Sequence, residues 1–171
     1  LVGKEAQATA DFESCLASLS GILDHPSTGK TVSFFYINNS GAVNVRKSGD
    51  YIAKAIRLAG GEYLSFDESG EENALSTMTI QMESFYSAAA DADVLIYNST
   101  IEGEIRTMDE LIAKCPLLAQ FKAVQQGNVW CTAQSLFQQS MEMPDLILDM
   151  NKVFAEGTPD DSELKFLTKI I

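Results

Sequence analysis

The chain has 171 residues, one domain of ordinary size and long enough to bury a core without metal or disulfide staples. Hydrophobic residues make up 46% of it, which excludes a disordered chain. The formal net charge of −12 argues against binding to nucleic acid or to anionic lipid heads, since both are repelled by such a surface, and otherwise serves solubility.

Residues 4–24 read as a helix, with Phe12, Leu16, Leu19 and Leu23 at helical spacing and Cys15 and Ile22 beside them. The breakers of Asp24 to Gly29 form a loop. Thr31 to Ile37 (TVSFFYI) is apolar, aromatic and β-branched, the composition of a strand buried on both faces in a parallel sheet. Asn38-Asn39-Ser40-Gly41 ends it. Ile52, Ala55, Ile56 and Ala59 mark a helix stopped by Gly60-Gly61, and residues 62–66 form a second strand. Residues 67–76 are polar and acidic and read as a mobile surface loop. An alanine-rich helix over 83–92 leads into the strand 93–97, and residues 98–106 form the loop at its C-terminal end. Thr107 to Glu110 is a capping box that opens a helix ending near Pro116. A strand over 128–132 follows. Leu146, Ile147, Met150, Val153 and Phe154 line one side of a further helix, with Pro144 in its first turn and Gly157 at its end; a last short helix starts at Thr158-Pro159-Asp160-Asp161. Strands alternating with helices predict an α/β domain with a mainly parallel sheet.

Chemistry is sparse. Gly60-Gly61 follows a helix rather than opening one, so it is a turn and not a dinucleotide fingerprint; no P-loop and no G-x-S-x-G elbow is present. The single histidine, His25, precedes a strand, whereas α/β sites gather after strands, and it reads as an exposed loop residue. A metal site built from protein ligands is not expected. Cys15, Cys115 and Cys131 are odd in number and far apart, so they form no disulfide framework; Cys15 and Cys115 read as small buried hydrophobes. Glu102 and Glu104 share a strand-end loop and offer a carboxylate pair, although a solvated acidic surface explains them better. No apolar run is long enough to cross a membrane.

What remains is binding. Three strand ends send loops to one edge of the sheet. They carry Asn38, Asn39 and Ser40, then Asn98, Ser99 and Thr100, then Gln134, Phe137, Gln138 and Gln139. Neutral hydrogen-bonding side chains with a few aromatics suit a ligand held by many weak polar contacts and by stacking. Arg46 and Lys47 precede the second helix, where they either meet an anionic ligand or are plain solvated charges.

Several segments, in this order, carry a resemblance over residues 4–156: the long helix leading into TVSFFYI; Gly49-Asp50-Tyr51-Ile52 running to Leu58-Ala59-Gly60-Gly61; Met82 to Tyr86 followed by Ala92 to Tyr97; and Pro116-Leu117-Leu118 with Phe121 to Trp130. Together they resemble the C-terminal lobe of the periplasmic binding proteins that capture iron-siderophore complexes, haem and cobalamin. The resemblance implies a three-layer αβα, Rossmann-like lobe, one half of a bilobal binding protein. Residues 1–29 would be the connecting helix and loop, and residues 30–171 the ligand-binding lobe. It implies an ABC permease as partner, with Glu83 in the position of the family's permease-contacting glutamate. Helix-dipole complementation explains that acid equally. It further implies no enzyme activity, no cofactor and an extracytoplasmic place, with a signal and lipid anchor lying ahead of Leu1. The family's frequent proline before the aspartate is here Ala92. The alternatives are an enzyme on a Rossmann-like or flavodoxin-like sheet, and a module acting by protein contacts alone. An isolated lobe is also expected to self-associate through its cleft face.

Overall fold

The computed structural model describes residues 3–23, 27–67, 76–138, 142–157 and 159–171. The chain runs α1 (Glu5–Leu23), β1 (Thr31–Ile37), β2 (Val43–Arg46), α2 (Tyr51–Leu58), β3 (Glu62–Tyr63), β4 (Thr77–Ile80), α3 (Met82–Ala89) and β5 (Val94–Tyr97). It continues through α4 (Ser99–Glu102), α5 (Met108–Lys114), α6 (Lys122–Gln125), β6 (Val129–Thr132), α7 (Met143–Glu156) and β7 (Leu167–Lys169). His25 and residues 68–75, most of the predicted surface loop, lie outside the described residues, as does Gln139.

β1, β5 and β6 lie side by side and parallel, and β3 runs parallel against the start of β1. These are the strands expected from their β-branched and aromatic composition, and every residue of β5 and β6 is buried. Antiparallel strands widen this centre on both sides, giving the order β4-β2-β1-β5-β6-β7. β2, β4 and β7 were not anticipated. β7 stands beyond the place where a last helix was expected, and that helix is only a 3-10 turn at Asp161–Glu163. The predicted strand 62–66 shrinks to two residues because β1 offers it only Thr31 and Val32; β2 takes the same edge further along, at Phe35 to Ile37.

Helices cover both faces. Ile22 of α1, Ile52 and Ile56 of α2, and Leu146, Met150 and Phe154 of α7 pack on Val32, Phe34, Ile96 and Trp130. On the other face Phe85 of α3, Leu111 of α5 and Ala123 of α6 pack on Phe35, Leu95, Tyr97 and Val129. The result is the three-layer αβα arrangement. Phe85 anchors the second core, its ring centroid 4.8 Å from Phe35 and 5.4 Å from Phe121. Cys115 and Cys15 are only partly buried: Cys115 sits past the end of α5 in extended backbone, and α1 touches the rest of the lobe mainly through α7.

The caps follow the sequence. The Asp50 carboxylate accepts the Ile52 N–H at 2.9 Å, and Thr107 and Glu110 form the reciprocal capping box of α5. α2 ends in a Schellman turn: Gly60 has φ 88, its N–H donates to the Arg57 carbonyl, and the Gly61 N–H donates to that of Ile56.

Two side chains in this frame make contrasting predictions. The Ser33 hydroxyl is wholly buried in β1 and has no hydrogen-bond partner among the described residues. Ser33→Ala removes an unsatisfied group, so the melting temperature should stay level or rise by roughly 2–4 °C per kcal/mol gained. Asp93 begins the turn into β5. Burial pushes its carboxyl up, but the Lys122 ammonium at 2.8 Å and the Thr31 N–H and hydroxyl at 2.9 and 3.1 Å outweigh it and hold the carboxyl at about 2. A depressed carboxyl stabilises the fold above its ordinary value of 3.8, and that contribution is lost as the pH falls from there through about 2. Urea midpoints should therefore drop over that window by the equivalent of roughly 1–2 kcal/mol, discounted for the exposed lysine, and Asp93→Asn should flatten the drop.

Candidate functional site

The C-terminal ends of β1, β5 and β6 lie at one edge of the sheet, and the loops leaving them behave differently. After β1, the Asn38 side-chain oxygen accepts the N–H of Ser40 at 3.0 Å and of Ala42 at 3.1 Å, and the Ser40 hydroxyl at 2.7 Å. Asn38 is thus occupied in shaping the turn to β2, leaving Asn39 and Ser40 exposed at its tip.

After β5, the stretch read as a plain loop contains α4, a single helical turn. Asn98 is buried, and its side-chain oxygen accepts the Thr100 N–H at 3.2 Å and hydroxyl at 2.8 Å. Ser99 is also buried: its N–H donates to the Thr132 hydroxyl at 3.0 Å and its hydroxyl donates to the Thr132 carbonyl. The loops after β5 and β6 are therefore joined at their roots. Between them lies an open depression of about 430 Å³, walled by Ser99, Thr100 and Ile101 on one side and by Gln134, Ser135 and Gln138 on the other. Four predicted residues meet here, while Asn38, Asn39 and Ser40 do not line it. Gln138 turns back over its own loop; the amide orientation that satisfies both groups places its nitrogen 3.0 Å from the Ser135 carbonyl.

Phe137, Arg46 and Tyr51 form a second group, where the loop after β6 meets the end of β2 and the start of α2. Arg46 ends β2 with its side chain only 12% exposed. Its guanidinium lies 3.6 Å from the Asp50 carboxylate, 5.0 Å over the ring of Phe137 and 5.8 Å over that of Phe34. Tyr51 meets Phe137 edge-on, with centroids 6.3 Å apart, and remains 47% exposed. Burial raises its hydroxyl above the ordinary tyrosine value, against the opposing pull of Arg46. Tyr51 and Ile101 escape a search of the sequence for polar loop residues, because one opens a helix and the other is aliphatic.

Glu83 lies in the first turn of α3 and is exposed. β4 ends at Ile80 opposite Val43, which faces Ile37 at the end of β1, so Glu83 stands at the same edge as the loops. Glu104 is engaged by Arg106 at 3.2 Å rather than presented with Glu102 as a free pair. Trp130 is fully buried, and its indole N–H donates to Asn128 at 3.1 Å, toward the opposite edge from the loops. Among the described residues, no group of three or more His, Cys, Asp or Glu side chains is placed to hold a metal ion, and no helix is long and apolar enough to cross a membrane.

No protein-family model and no curated protein matches the chain. Solved structures do: the fold is that of one lobe of the periplasmic binding proteins. The TroA-like periplasmic binding protein FepB from Veillonella parvula superposes with a TM-score of 0.67 and 14% identity, covering 99% of this chain and 58% of its own. The periplasmic heme-binding protein HutB of Vibrio cholerae gives 0.63 and 17%, covering 91% and 57%. The ABC-type Fe3+-hydroxamate transport system of Saccharomonospora viridis gives 0.71 and 12%, covering 89% and 50%. The chain thus spans between half and three-fifths of the length of these proteins.

Proposed function

We propose that this chain is the C-terminal lobe of an extracytoplasmic solute-binding protein that captures a metal chelate and delivers it to an ABC permease. The chelate would be an iron-siderophore complex, haem or cobalamin. The observation that carries this reading is that nearly the whole chain matches about half of proteins named for such ligands, a heme, an Fe3+-hydroxamate and a siderophore among them. Residues 1–29 then act as the connecting helix and loop, and residues 30–171 as the ligand-binding lobe. Phe12 and Leu16, 61% and 50% exposed on α1, suit a helix that packs against a second lobe. Ligand contacts come from Asn39 and Ser40, from Thr100, and from Gln134, Phe137 and Gln138. Asn98 and Ser99 hold the rim in shape, and Glu83 meets the permease. The role is binding, not catalysis. The protein would work in the periplasm or on the outer face of the cell membrane, lipid-anchored through the part ahead of this lobe. The lobe by itself would associate through its cleft face, where Ile101 and Tyr51 are exposed.

Titration of the intact protein with haemin, a ferric hydroxamate, a ferric catecholate and cobalamin tests this. Because Trp130 points away from the rim, its quenching would report energy transfer to the chromophore rather than contact. Saturable quenching by one class supports the reading and names the ligand. A folded protein that responds to none of the four overturns it.

A further inference from the structure

Resting on that reading, we propose that Arg46 is a positioning residue rather than an anion contact, and that Tyr51 and Phe137 form an aromatic wall selecting a chelate with a flat conjugated face. Three observations converge. Arg46 is the basic residue nearest this wall, yet its charge faces Asp50 at 3.6 Å and its guanidinium lies over Phe137 at 5.0 Å and Phe34 at 5.8 Å, so little of it is presented to a ligand. The ring that it holds, Phe137, belongs to the same short turn as Gln134, Ser135 and Gln138, which wall the depression. Beyond Phe137 stands Tyr51, edge-on and 47% exposed, the one aromatic ring of the pair with a large free surface. An edge-to-face pair of rings offers apolar area and an oriented quadrupole, which a planar π-system uses and an aliphatic chelate does not.

The test uses the intact protein with haemin as the flat probe and ferrioxamine B as the aliphatic one, each titrated at low and high salt. Tyr51→Ala and Phe137→Ala should weaken haemin binding by about tenfold and leave ferrioxamine B unchanged, while Tyr51→Phe restores haemin binding. Arg46→Gln should weaken haemin binding by a similar factor without changing its salt dependence. Circular dichroism checks that each variant is folded; Tyr51 is exposed enough for its substitution to leave the core untouched. Equal losses for both probes, no loss for haemin on Tyr51→Ala, or a salt dependence that vanishes with Arg46→Gln each overturn the inference and leave the binding-protein reading standing. Binding of ferrioxamine B alone does the same. Failure of both probes and of every other chelate overturns the two together.

Discussion

Replacing Asp149 with alanine should destabilise the lobe by about 3 kcal/mol, the larger of the effects expected from single substitutions. Asp149 sits in α7 with only 4% of its surface exposed. One carboxylate oxygen accepts the backbone N–H groups of Phe166 at 2.6 Å, Lys165 at 2.9 Å and Leu167 at 3.3 Å. These donors lead into β7 and include its first residue, so the side chain fastens the outer strand of the sheet to the helix that covers it. Alanine leaves buried donors without an acceptor, and each such group carries a penalty of about 1–3 kcal/mol unless water reaches it. Asparagine keeps one acceptor oxygen and should cost less. The pH dependence separates the two effects. Burial pushes the carboxyl above its ordinary 3.8, and the three N–H groups only partly offset it. A raised carboxyl stabilises the fold most below its unfolded value, and stability falls as the pH climbs from 3.8 through the folded value. Urea midpoints measured across that range should fall in the parent protein and stay flatter in Asp149→Asn.

The second large effect is expected at Gly61. A Cβ there would lie 2.8 Å from Phe154 Cε2 and 3.0 Å from Val32 Cγ2. Both neighbours are fully buried, so neither yields freely. Gly61→Ala should cost about 1–3 kcal/mol through overpacking. Thermal melts of Gly61→Ala, Phe154→Leu and the double variant check the cause. Relief of the clash by the smaller side chain should leave the double variant more stable than the sum of the single changes, by about 0.5 kcal/mol or more. Strict additivity would place the cost in the backbone of the turn instead.

Much of the fold was legible in the sequence because the central strands carry their own signature. TVSFFYI, VLIY and VWCT are apolar at successive positions, as doubly buried parallel strands must be. The caps at Thr107 and Gly60 were equally direct, since each names a hydrogen bond within one turn. The antiparallel flanks were not legible. VNVR of β2 and TMTI of β4 have four residues each, and only half of the positions of β2 and none of those of β4 are buried, so their pairing is fixed by neighbours distant in sequence. Leu167 to Lys169 becomes a strand because Asp149 and β6 hold it there.

The site was legible by place more than by role. Strand ends pointed to the edge where the depression between the loops after β5 and β6 lies. Sequence cannot say which polar side chains are consumed internally: Asn38 and Asn98 turn inward to their own loops, and Ser99 bonds across to Thr132 of β6. Arg46 is likewise neutralised by a residue four positions on, in a helical cap whose second function no pattern reveals. Tyr51 was hidden by its assignment to a helix, although as the first residue of that helix it meets Phe137 of the loop after β6.

The bonds from Ser99 to Thr132 tie two of the rim loops at their roots. Such loops lose their freedom when the chain folds, not when a ligand arrives. A ligand then meets donors and acceptors whose spacing is already set, and little of its binding enthalpy is cancelled by ordering them. On the proposed binding role, selectivity at this rim would be a matter of shape, and a poorly matched chelate would not recover affinity by pulling these two loops apart at their roots.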